Sequence, residues 1–455
     1  MSEGQLNRSS GRGSSRHRWL ILSHGFNMDG RAASQTITDK IPFLLESGVQ
    51  LHVLSAITGV KDHRFMHQQI IAWGPAAFRF DFRHWFANRF GRGLAYKIMT
   101  PMVSILLAPF IALEKLWWGY SSQWSWALPA YVAGLRLIRA GKIDLIYSTG
   151  GAWSAHLAGL WLKKKTQIPW IAEIHDPLVI RTNEHDIGAT QPAQADARKR
   201  HWLEQQICQH ANLVWWFTYG ALHFAKQRNP QLDSVGFAKT CMIIPGANPP
   251  STGLSSQLPC HTYGRFLNIC HFGSLANDRS LSDLLKVLPA WFQKYPKARQ
   301  QLKIHIYGGS LDSRSKKILD DEIEPGVVIE HGRIEKDATT GQSGREQIIA
   351  KMRAADVLLL LHGEGQWCQE YIPSKLYDYF WTRRPVWAIT NRNPQLDALL
   401  MERGAYLSAG INEIEATLTT IWLDWENKQL IEPNFQPITV EAAVKTIIEA
   451  VDTLT

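Results

Sequence analysis

Short apolar runs, each closed by a glycine-bearing or polar turn, alternate with longer segments of helical periodicity from Trp19 to the end of the chain. A run that is apolar throughout suits a strand covered on both faces, and its alternation with helices dictates a parallel sheet wound by crossover connections. Two such series stand in the sequence. The first holds WLILSHG (19–25), VQLHVLSA (49–56), IDLIYSTGG (143–151), IPWIAEIHD (168–176), VWWFT (214–218) and CMIIPG (241–246). The second holds FLNICHFGS (266–274), LKIHIYGGS (302–310), GVVIEHGRI (326–334), DVLLLLHGEG (356–365) and PVWAIT (385–390). Between them, residues 246–264 are rich in Pro, Gly and Ser, a linker that no periodic element crosses intact. The pattern predicts an α/β protein of two Rossmann-like, doubly wound domains, 19–245 and 265–435, facing each other across a cleft, with a C-terminal helix over 436–455.

With 455 residues, 45% of them hydrophobic and 20% charged, the chain can fill two large cores, and disorder throughout is excluded. The 49 Lys and Arg against 40 Asp and Glu leave a net charge of +9, which admits nucleic acid, anionic lipid or phosphorylated compounds as partners without choosing among them. The basic residues are dispersed and no nucleic-acid-binding module is recognisable, so nucleic acid is not expected as a partner. Cys208, Cys241, Cys260, Cys270 and Cys368 show no CxxC or Cys/His ligand spacing, which points to a reducing compartment without structural zinc. Residues 1–18 are polar, basic and rich in Ser and Gly, with no apolar stretch after them that would serve as a signal peptide; they read as a disordered cytoplasmic tail.

One region, about 76–130, interrupts the alternation. From Ile98 to Leu113 no residue is charged, and the stretch contains Pro101 and Pro109. A spanning helix needs about 20 apolar residues. This stretch is shorter and doubly interrupted, and is not expected to cross a membrane. Phe78, Arg79, Phe82, Arg83, Trp85, Phe86 and Arg89 precede it, and Trp117, Trp118, Tyr120, Trp124 and Trp126 follow. Rings settle at headgroup depth and arginines meet lipid phosphate, so the composition suits an anchor lying on an anionic membrane surface. A buried helical hairpin with the aromatics as ordinary core is the plainer alternative.

Parallel sheets bind ligands beyond the carboxyl ends of their strands, which makes the residues after each strand the candidates. Gly30 lies in the loop after the first strand, where the following helix N-terminus would offer N–H groups to an anion; a connecting turn explains it equally well. No GxGxxG and no GxxxxGK[ST] occurs, which argues against a dinucleotide oxidoreductase or a P-loop nucleotidase. His175 closes a buried strand at its ligand end with Asp176 beside it, although a lone histidine is more often a satisfied core residue. FGSLANDRSL places Gly273, Ser274 and Arg279 in a strand-to-helix loop, where glycine admits close backbone approach and Arg grips phosphate in a fork. In EYIPSKLYDYFW, Glu370 and Asp378 flank Pro373, Ser374 and Lys375 at a helix start. That start with a lysine is an anion site, and Asp378, a turn further on, can accept hydrogen bonds from sugar hydroxyls. A capped amphipathic helix with solvated carboxylates accounts for the same residues.

On these motifs the chain resembles the retaining, nucleotide-sugar-dependent glycosyltransferases with two Rossmann-like domains (the GT-B type), in particular the family 4-like members. Residues 143–178 and 370–389 carry the resemblance most specifically. It implies that Asp378, an Asp where Glu is usual, holds the ribose of the nucleotide, and that Glu370 or Glu364 lies near the donor sugar. His175 matches the histidine beside the reacting carbon, and Gly30 the loop near the diphosphate. Gly273, Ser274 and Arg279 match the diphosphate-binding region, with Arg279 alone for the usual pair of cations, and Arg333 stands where members meet the base. The aromatic insert resembles the acceptor-side membrane patch of enzymes that glycosylate lipid-linked sugars. The resemblance further implies a UDP- or GDP-sugar donor, a lipid-linked or glycan acceptor, retention, and a cytoplasmic enzyme peripherally bound to the inner face of the membrane in cell-envelope polysaccharide or glycolipid synthesis. No cofactor is expected. No DxD occurs, so a metal is not expected either. The competing expectations are a sugar-nucleotide epimerase of the same fold and a non-catalytic nucleotide-sugar-binding protein.

Overall fold

The computed structural model describes residues 16–28, 31–118, 123–179, 191–250, 263–276, 278–334, 337, 339–363, 365–391 and 393–454. Strands β1 (Arg16–Leu22), β2 (Val49–Ala56), β3 (Met66–Ile70), β4 (Leu145–Ser148), β5 (Trp170–Ile174), β6 (Leu213–Trp216) and β7 (Lys239–Met242) form one sheet in the order β3-β2-β1-β4-β5-β6-β7. Strands β8 (Leu267–Gly273), β9 (Leu302–Gly308), β10 (Val328–Gly332), β11 (Val357–Leu361), β12 (Val386–Ile389) and β13 (Tyr406–Ser408) form the second, ordered β10-β9-β8-β11-β12-β13. Every neighbouring pair is parallel. In each sheet the strand order reverses once, between β1 and β4 and between β8 and β11. Crossovers leave such a point in opposite directions and open a crevice there, so the two doubly wound domains present their binding crevices by topology alone.

Two edge strands carry no apolar run. β3 reads MHQQI with alternate residues exposed, and β13 has three residues; a strand with one neighbour need not be apolar on both faces. The first strand also starts earlier than the sequence reading: residues 16–18, assigned there to the tail, belong to β1, where the Arg18 N–H and guanidinium both donate to Asp144 before β4. Residues 1–15 lie outside the described residues, as do 251–262 of the linker.

The chain passes between the domains twice, side by side. The Ala247 N–H donates to the Ile438 carbonyl at 3.0 Å, and at Gly246 (φ +66°) a Cβ would lie 2.7 Å from that carbonyl, so only glycine fits the crossing. After the return crossing, helix Val440–Asp452 packs Val444, Ile447, Ile448 and Val451 into the first domain's core with Trp19, Ile21 and Ile37.

The insert is a hairpin of two long helices, Pro75–Phe90 and Leu94–Trp118. Helix 75–90 is seated on the carboxyl ends of the first strands: Asp81 meets His24, just after β1, at 3.1 Å, and the Asn88 amide donates to the Thr58 carbonyl, just after β2. Helix 94–118 runs back along it, with Phe86 and Tyr96 rings 6.4 Å apart at one end and Glu114 accepting from the Ala76 N–H and the Trp124 indole at the other. The expectation of a doubly interrupted stretch is corrected here. Pro101 and Pro109 each remove one backbone donor without ending the helix, which runs unbroken through both. Leu94–Trp117 is long and apolar enough to cross a membrane, with a mean hydropathy of 1.6 and only 11% of its most apolar 18 residues buried.

Candidate functional site

A cavity of about 510 Å³ lies between the domains at the carboxyl ends of the strands. The first domain contributes Gly151, Trp153, His175 and Phe217, and the second contributes Arg279, Trp367, Glu370, Ser374 and Lys375. Five residues singled out in the sequence therefore share one cavity. Two neighbouring glycines make room for its cation. Gly273 ends β8 at φ +126°, and a Cβ there would collide with the Lys375 ammonium; Gly308 (φ +143°), ending β9, lies against the Gly273 backbone just as closely. Lys375 donates to the Phe272 carbonyl. Burial and then the nearby Arg279 charge push its pKa down to about 7. An anion entering beside Arg279 would reverse that second effect.

The remaining candidates fall into distinct surroundings. Ser274 is exposed next to Gly309. Arg333 is exposed after β10, away from the cavity wall, and its charge reaches Arg31, whose pKa is lowered by burial and then by Arg333, Arg92 and Arg83. Gly30 and Glu364 lie outside the described residues. Glu370 is 2% exposed, with an Arg228 guanidinium nitrogen 4.0 Å from its carboxylate, while its carbonyl accepts from the Thr218 hydroxyl of the first domain at 2.8 Å. It is built into the domain contact as much as into the cavity.

Asp378 departs from the picture of a solvated carboxylate. The helix it belongs to, Lys375–Phe380, has only six residues and Ser374 makes no side-chain cap, so that helix start is less of an anion site than its sequence suggested. Asp378 instead accepts from Arg345 at 3.4 Å, and Arg345 also donates to Asp39 of the first domain at 2.9 and 3.0 Å. Burial raises the pKa of Asp378, and Arg345 opposes this. The guanidinium thus ties the two domains together through a carboxylate on each side.

His175 is held by a partner that the sequence reading overlooked. Its Nε2 lies 2.6 Å from Glu173, two residues back on β5, whereas Asp176 is exposed. Glu173 is fully buried and also accepts from Lys40, Tyr147, Thr149 and Trp215. Burial raises its pKa, but the Lys40 charge and the hydrogen bond from His175 outweigh this and hold the carboxyl below its usual range. The signal was present: one acid stands inside the apolar strand WIAEI, all of whose residues are buried.

Two parallel sheets with crevices turned toward each other, and a cavity that joins a histidine on one side to two cations on the other, define a class. Residues 100–218 match the family model described as Glycosyl transferase 4-like domain. These residues thus carry a glycosyltransferase 4-like domain, and the two-domain α/β architecture around them is that of GT-B glycosyltransferase structures. Among solved structures it is similar to HepE from Anabaena in complex with UDP-glucose, at 16% identity over 96% of this chain and 100% of that one, with a TM-score of 0.52. Sucrose-phosphate synthase from Thermosynechococcus elongatus is 14% identical over 96% and 95% of the two chains, with a TM-score of 0.55. A UDP-forming α,α-trehalose-phosphate synthase from Burkholderia vietnamiensis is 9% identical over 96% and 97%, with a TM-score of 0.57. No curated protein sequence matches the chain.

Proposed function

We propose that the chain transfers a sugar, with retention and without a metal ion, from a UDP- or GDP-sugar to a lipid-linked or other glycan acceptor at the cytoplasmic face of an anionic membrane, as a step of envelope polysaccharide or glycolipid synthesis. The observation that carries this is the cavity itself, with His175 on one wall and Arg279, Ser374 and Lys375 on the other. The diphosphate fits the second-domain wall, where two fixed cations meet the charge that develops as the glycosidic bond breaks. His175 then faces the sugar. In front-face attack the acceptor oxygen bonds to the anomeric carbon on the side the diphosphate leaves. The acceptor's proton passes to the departing phosphate oxygen, so no separate base is required. Asp378 is the proposed ribose acceptor once Arg345 yields it.

The acceptor reading rests on the hairpin. It sits at the carboxyl ends of β1 and β2 and bears exposed Ile98, Met102, Ile105, Leu113 and Leu116 on one side of helix 94–118. At 3.6 residues per turn these positions fall on one side of the helix and make an apolar stripe. Because the helix is fastened to the same domain at both ends, the reading is an anchor lying on the membrane rather than a span. A thermal-shift screen of UDP, GDP and their sugars, followed by donor hydrolysis rates for Arg279→Ala and Lys375→Met, tests the site. Stabilisation by one nucleotide series and loss of turnover in both variants are expected; unchanged rates contradict the assignment.

A further inference from the structure

We propose that Glu173 is a positioning residue: it fixes His175 in the tautomer protonated at Nε2, leaving Nδ1 as a hydrogen-bond acceptor for a hydroxyl of the bound sugar. The inference rests on the glycosyl-transfer reading above and concerns how its cavity orients the donor.

A count of protons leads to it. Lys40 Nζ approaches Glu173 Oε2 at 2.5 Å, the Tyr147 hydroxyl at 2.6 Å and the Trp215 indole nitrogen at 3.1 Å. On Oε1, the Thr149 hydroxyl lies at 2.8 Å and His175 Nε2 at 2.6 Å. A carboxylate offers about four lone-pair sites, all of them acceptors when it is ionised. An ionised carboxylate has no hydrogen to give, so a group hydrogen-bonded to it must supply one. The single hydroxyl hydrogen of Thr149 is spent on Glu173, so Thr149 Oγ1, 3.0 Å from His175 Nε2, can only accept there. Both neighbours of Nε2 are therefore acceptors, and Nε2 carries the proton. In the neutral ring Nδ1 then holds a lone pair. His175 lines the donor cavity, its ring is packed against Phe217 at 4.9 Å, and that packing, with the Nε2 bonds, leaves one orientation. Lys40 balances the charge of Glu173, so the anchor is a neutral pair beneath the cavity floor.

The consequence is chemical. A ring that accepts at Nδ1 requires a donor hydrogen and so takes a sugar hydroxyl, whereas the opposite tautomer would donate from Nδ1 to any oxygen lone pair, of a hydroxyl, carbonyl or ether alike. Nitrogen-15 NMR of histidine-labelled full-length protein reads the tautomer directly, and the expected spectrum has His175 protonated at Nε2 and unprotonated at Nδ1 near pH 7.5. The reverse tautomer overturns the proposal whatever the variants do. Removing the anchor and its counter-charge together, in Lys40→Met with Glu173→Leu, is expected to mix the tautomers and lower kcat by on the order of 10–100-fold, with the donor KM changed less than about threefold. Glu173→Asp, which keeps the carboxylate, is expected to restore a single tautomer and part of kcat. A double variant that folds, keeps one tautomer and keeps its kcat would overturn the proposal. If the unaltered protein turns over no nucleotide sugar, the transfer reading itself fails, and that outcome is distinct because it precedes any substitution.

Discussion

Lys375 is a cation placed where its charge is costly until an anion arrives. With its pKa pushed down to about 7 against an ordinary 10.5, the free protein loses this charge progressively above pH 7. A UDP-sugar carries a diphosphate diester that does not titrate in this range. Its dissociation constant is expected to rise by up to about tenfold per pH unit above pH 7, and Lys375→Met should weaken binding and flatten the profile; isothermal titration between pH 6 and 9 checks both. The same depression acts on folding. Between about pH 7 and 10.5 the unfolded chain binds the proton that the native one has released, so this group makes the ligand-free protein more stable as pH rises through that window. Gly273→Ala tests the space around the ammonium. The new methyl strains a backbone at φ +126° and displaces Lys375, and donor affinity is expected to fall by about tenfold or more while the thermal melt stays cooperative. These residues were legible in the sequence because Gly273 ends an apolar strand and Lys375 stands at a helix start, the two places where a parallel sheet meets its ligands. Glu173 was not read, because a buried acid acquires meaning only when Lys40, from a distant segment, is seen beside it.

Among elements, the hairpin shows where sequence patterning gives out. Aromatic and apolar letters identified the region, but proline suggested breaks that a helix packed along its length does not make. Which side faces outward followed only from packing: Thr100, Ile111 and Glu114 are turned inward, and Ile105, Leu113 and Leu116 outward. Replacing Ile105 and Leu113 together by Asp is expected to leave the thermal melt and donor hydrolysis within about twofold, since exposed substitutions away from packing contacts change stability little. Flotation with vesicles of anionic lipid should be lost in the same variant. Retained flotation would move the membrane contact elsewhere. The buried strands, by contrast, were read nearly to their limits, because β4, β5, β6 and β11 are covered on both faces and are apolar almost throughout. β3 and β13 escaped for the complementary reason: one is half-exposed and polar, the other too short to show a pattern.

For the molecule as a whole, the two-domain layout was legible from the alternation of runs and the Pro/Gly-rich break, while the contacts that join the domains were not. Arg345, Asp39 and Asp378 come from three separated segments, and their meeting depends on how the domains face each other. The ribose-holding role proposed for Asp378 and the Arg345 tie would use the same carboxylate, so on that proposal nucleotide binding and domain contact would compete there. Arg345→Met is expected to increase the radius of gyration of the ligand-free protein in solution scattering, because the inter-domain tie is lost, and added nucleotide should reverse part of the change. The most direct measurement is a crystal structure with UDP or GDP bound, whichever stabilises the protein more. The diphosphate should lie within hydrogen-bond distance of Arg279 and Lys375, with space for a sugar against His175. A nucleotide seated elsewhere, with neither cation touching phosphate, would contradict it.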